Sequence, residues 1–95
     1  MDKHQKTTQK ILKTFPKTYN LDPQTRVLHL IEESVELGTS VSKYVGKFPV
    51  KIKKGEIEEG FGGLLFDVFI LATQLGINLD EIYPEELEKF KKFSK

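Results

Sequence analysis

Apolar residues recur at helical spacing along most of the chain and mark out its elements. Ile11, Leu12 and Phe15 share one side of a short amphipathic helix expected over 4–15, which Pro16 ends before a loop over 16–21. Asp22-Pro23 is a helix start, because aspartate caps free amides and proline suits the first helical position. Val27, Leu28, Ile31, Val35, Val41 and Val45 then repeat with the helical period as far as Gly46, a natural C-terminal cap. That helix has about 23 residues and a length of roughly 35 Å. Lys47 to Gly55 form a basic connector, and a second long helix follows over about 56–75 with Gly76 as its cap. Pro84 is expected to open a last helix over 85–93, where Leu87, Phe90 and Phe93 are available for docking.

The second long helix is apolar on almost every face from Leu64 to Ala72, with Asp67 as its single charge. A helix apolar all round must be surrounded, and one partner helix from the same chain cannot do that. Another copy of the protein is the simplest cover. The expectation is an all-α fold, with two long antiparallel helices per chain completing a four-helix bundle in a dimer.

Length and charge narrow the picture further. Ninety-five residues make a single domain over 1–95, its core spanning 22–93, with a modest interior of the kind that oligomerisation supports. The absence of cysteine removes disulfides and thiolate metal sites. A net charge of +1 argues against a nucleic-acid binder held by phosphate contacts. The lysines nevertheless gather at 3–17, 43–54 and 89–95, and the acids at 32–36, 56–59 and 80–88. The apolar stretch is too short to span a bilayer, and Met1 to Lys6 lack the apolar run of a signal peptide. A soluble cytoplasmic protein with no membrane partner is expected.

The candidate chemistry begins at Glu33 and Glu36. Residues three apart share a helix face, so both carboxylates point toward one partner, and their repulsion is offset by solvent or by a Mg²⁺-type cation. Glu32-Glu33-x-x-Glu36-Leu37, Gly63-Leu64-Leu65-Phe66 and Leu71-Ala72-x-x-Leu75-Gly76-Ile77-Asn78-Leu79 resemble the core motifs of the MazG-type, all-α nucleoside triphosphate pyrophosphohydrolases. Glu88-Lys89-Phe90-Lys91-Lys92-Phe93 is similar to that family's closing basic-aromatic segment, so the resemblance covers about residues 22–93. It implies a MazG-like helical bundle, a homodimer or higher oligomer, and Mg²⁺-dependent cleavage of nucleoside triphosphates to monophosphate and pyrophosphate. The implied metal site takes E-x-x-E from one helix and E-x-x-D from the next. The first pair is Glu33 and Glu36, which would be both metal ligands and catalytic residues. Counting back from Gly76, the second pair falls on Gly60 and Gly63.

In an antiparallel pair, setting 36 against 60 and 33 against 63 makes facing positions sum to 96, which also sets His29 against Asp67. An unpaired buried carboxylate is costly, so Asp67 is expected to pair with His29, in the same subunit or across the dimer. Alternatively Asp67 joins Glu33 and Glu36 as a metal ligand, or Glu56 or Glu59 swings in. Gly60, Gly62 and Gly63 each cost a helix about 1 kcal/mol relative to alanine, and close backbone approach to a partner helix or ligand, or a helix that starts only after Gly63, would explain them. Lys47, Lys51, Lys53 and Lys54 are candidates to hold a triphosphate, or form a solvated loop. Tyr44 and Phe48 are candidates to stack on a base, or to make core or dimer contacts. Three functions remain open: a nucleotide pyrophosphohydrolase, a non-catalytic dimeric helical module that binds nucleotide weakly or a protein partner, or a helical interaction module unrelated to nucleotides.

Overall fold

The computed structural model describes residues 2–15, 22–46 and 51–94, and these are all-helical. The elements are α1 (Asp2–Thr14), α2 (Pro23–Tyr44), α3 (Lys54–Gln74), α4 (Leu79–Phe90) and a 3₁₀ turn over Lys91–Phe93. The loop expected at 16–21, together with Lys47 and Phe48 of the connector, lies outside the described residues.

Local chemistry sets the limits of α2 and α3. Oδ1 of Asp22 accepts from the Thr25 amide at 2.7 Å, and Pro23 is the first helical residue. Gly46, at φ +86°, closes α2, its amide donating to the Lys43 carbonyl at 3.2 Å. At the end of α3, Gly76 sits at φ +69°, a conformation open to glycine. Its amide donates to the Thr73 carbonyl, and the Ile77 amide donates to the Ala72 carbonyl at 2.8 Å, so two otherwise free carbonyls are satisfied.

The last helix differs from expectation. It starts at Leu79 rather than after Pro84, because Oδ1 of Asn78 accepts from the Asp80 amide at 2.9 Å and caps an acidic first turn of Asp80 and Glu81. Pro84 lies inside this helix, and the expected span 85–93 is divided between the end of α4 and the 3₁₀ turn.

Packing centres on α3. The contacts His29–Asp67, Glu33–Gly63 and Leu37–Gly60 make α2 and α3 antiparallel. α1 packs against α3, with Leu12 buried and the Phe15 ring centroid 6.4 Å from that of Phe66. Ile11, expected on that side, is exposed. Polar groups do the rest of the docking: the buried Gln5 amide donates to the Ile77 carbonyl at 2.8 Å and accepts from the Leu79 amide at 3.1 Å, tying α1 to the α3–α4 corner. The core is small, with Phe69, Ile70, Ala72, Leu12 and Leu79 buried. The chain spans 42 × 42 × 22 Å, and its radius of gyration is 15.9 Å, whereas a compact chain of this length has about 12 Å. No single described helix is long and apolar enough to cross a membrane.

Candidate functional site

The face between α2 and α3 is where the sequence concentrates its chemistry. Asp67 is the charged residue at its centre, buried within α3. Its two oxygens are both engaged by α2: Oδ1 accepts from Nη1 of Arg26 at 2.9 Å, and Oδ2 accepts from Nδ1 of His29 at 2.6 Å. A carboxylate partner at that distance fixes the imidazole with its proton on Nδ1 and turns Nε2 outward. Nε2 lies 3.8 Å from Oε1 of Glu33, one turn further along α2.

Arg26 and His29 reach the same carboxylate because they are three residues apart on one face of α2. Arg26 is buried, and its Nε and Nη2 find no acceptor among the described residues. Sequence reasoning missed this residue, since an isolated arginine near a helix start reads as a solvated cation. The available signal was its spacing from His29, which puts it on the face that meets α3.

Glu33 occupies the space opposite Gly63. A β-carbon on Gly63 would stand 3.2 Å from Oε2 of Glu33, and one on Gly60 would stand 2.9 Å from Cδ1 of Leu37. The glycines therefore admit close approach of the two helices, and α2 side chains fill the volume. Leu37, rather than Glu36, stands over Gly60, and Glu36 is exposed on the flank of α2. Glu36 is not among the residues whose donor atoms gather around Asp67. Glu56 and Glu59 are exposed on α3. Lys51, Lys53 and Lys54 are exposed in the connector and at the start of α3, and Lys54 stands about 20 Å along the helix from Asp67 at the usual rise. Tyr44 is exposed at the end of α2.

His29, Glu33 and Asp67 form a group whose donor atoms lie within 4.8 Å of one another. The set does not fit Mg²⁺, which demands near-octahedral oxygen coordination. One donor is an imidazole, and the nearest carboxylate already holds the Arg26 guanidinium. Moving Asp67 onto a metal would leave a buried guanidinium uncompensated.

No family model, curated protein or solved structure matches this chain.

Proposed function

We propose that this protein is a divergent MazG-like module that works by assembly rather than by hydrolysis. It is a helical hairpin that pairs with a second copy into a four-helix bundle and has lost the Mg²⁺ site of the pyrophosphohydrolases it resembles. The observation that carries this reading is the filling of the two glycine positions. Where the resemblance implies a second pair of carboxylates, Leu37 and the Glu33 carboxylate pack against bare backbone. Asp67 does not compensate, because Arg26 and His29 take both of its oxygens. The surface agrees with assembly. Large apolar side chains are exposed on α2, α3 and α4, among them Leu28, Val35, Phe61, Leu65 and Leu87. Contiguous apolar patches mark interaction surfaces, and Leu28, Ile31 and Val35 follow one another along one face of α2.

The competing reading keeps the enzyme. It rests on the convergence of His29, Glu33 and Asp67, with Glu36 one turn further along α2, and takes a nucleoside triphosphate as substrate, Mg²⁺ as cofactor and the connector lysines as phosphate holders. One experiment separates the two: pyrophosphate release from a panel of nucleoside triphosphates with Mg²⁺ or Mn²⁺, run beside Glu33→Gln and Glu36→Gln. The assembly reading predicts no turnover above the buffer rate. Turnover abolished by both substitutions would establish the enzyme and overturn it.

A further inference from the structure

The surface of α2 that faces away from α3 is organised in its own right. Leu28, Ile31, Val35, Gly38, Ser42 and Val45 follow one another at alternating spacings of three and four, the pattern of a coiled-coil seam. Leu28, Ile31, Val35 and Val45 are each between 53 and 63 % exposed. α2 packs chiefly against α3, so nothing among the described residues covers this stripe.

Gly38 makes the stripe informative. It lies in the middle of a long helix, where glycine is destabilising relative to alanine. Gly60 and Gly63 are explained by α2 side chains lying against them, but a β-carbon on Gly38 would meet nothing within 4 Å. One turn on, the Ser42 hydroxyl donates to the Gly38 carbonyl at 3.0 Å, so it can be covered by an apolar group without losing its partner. The seam is therefore bulky in its first half and small in its second.

We infer that the occupant is the same stripe of a second copy, laid antiparallel. Pairing positions that sum to 73 brings every residue of the seam into register. Val35 then lies over Gly38 of the other copy, Ile31 over Ser42, and Leu28 beside Val45, each pair occurring twice about a two-fold axis. Large meets small at the two central layers, which lets the helices approach closely. The area agrees. The chain exposes 7557 Å² for a mass of 10.9 kDa, while a compact chain of that mass exposes about 5,600 Å². The surplus of about 2,000 Å² belongs to the chain as a whole, and it leaves room for the roughly 800 Å² per partner of a standard stable interface. This seam rests on the assembly reading above and joins the two copies through the face of α2 opposite α3, so the four helices lie side by side with the two α2 helices at the centre.

The test uses the absence of native cysteine. Full-length Ile31→Cys and Ser42→Cys chains are prepared separately, then oxidised alone and as a mixture, alongside light-scattering mass measurement of the parent. The expected result is a covalent dimer from the mixture, at least tenfold more than from either variant alone. In the antiparallel register like positions are about 16 Å apart along the axis. Efficient linking of Ile31→Cys to itself would mean a parallel seam and overturn the register. A dimeric parent that links in no combination would overturn the seam while leaving the assembly reading intact. A monomeric parent would overturn both.

Discussion

Arg26 and Asp67, 41 residues apart in sequence, form an ion pair at 2.9 Å with 2 % and 1 % of their side chains exposed. The pair pins the start of α2 to the middle of α3. His29 completes it from the half-exposed edge, so a single carboxylate organises one end of the hairpin. Removing one member of such a pair is far worse than removing both, because the survivor stays buried and uncompensated.

Asp67→Ala should therefore destabilise the fold by about 3–5 kcal/mol. The double replacement Arg26→Met with Asp67→Leu should cost far less than the sum of the single changes. A double-mutant cycle by urea unfolding measures this directly. Additive effects would show that the pair is not coupled as the geometry indicates.

The glycines separate into classes. Gly62 has open space where a β-carbon would go and no positive φ, so Gly62→Ala should stabilise by about 0.5–1 kcal/mol. Gly46 and Gly76 sit at φ +86° and +69°, so alanine at either should destabilise by about 1–2 kcal/mol. Thermal unfolding of the three variants checks the order, and a stabilising Gly76→Ala would contradict the cap assigned to it.

Much of this was legible in the sequence. Asp22-Pro23 marked the start of α2 through the physics of free amides, and Gly46 and Gly76 marked the helix ends because each takes the left-handed conformation. The antiparallel rule of 96 located two contacts, His29 with Asp67 and Glu33 with Gly63, since helical rise is the same in both arms of a hairpin. It failed at 36 and 60, where Leu37 takes the place. Two facing helices each turn about 100° per residue, and a rule anchored on one residue drifts around the cylinder a turn later. Pro84 misleads because proline also signals a helix start, whereas the asparagine cap at Asn78 is the device that begins α4. Arg26 was only partly legible: its spacing from His29 places it on the face that meets α3, but burial of a cation depends on a partner in another helix.

The filled glycine positions can be reopened. Gly60→Glu together with Gly63→Asp would introduce the second carboxylate pair that the MazG resemblance implies, while displacing Leu37 and crowding Glu33 with like charge. The variant should be less stable than the parent without metal. It should gain melting temperature on adding millimolar Mg²⁺, by several degrees, while the parent does not respond. An equal Mg²⁺ response in the parent would show that the native donor set already binds the ion.

Asp22 gives a pH signature. Hydrogen bonds from Thr25, its amide first, hold the carboxyl of this exposed residue below its ordinary value of 3.8. A folded value below the unfolded one means the stabilisation is complete above the unfolded value. It is lost as pH falls through the lowered folded value. The substitution Asp22→Asn leaves a side chain that still caps the helix but does not titrate. The variant should show a shallower loss of melting temperature between about pH 4 and pH 2 than the parent. Parallel curves would remove Asp22 from the acid response.

The claim beneath all of this is that one chain is half of a bundle. Sedimentation equilibrium of the full-length protein at micromolar concentration tests it most directly. The account predicts a folded species of twice the 10.9 kDa chain mass or a higher even multiple. A helical, cooperatively unfolding monomer of the single-chain mass would contradict it.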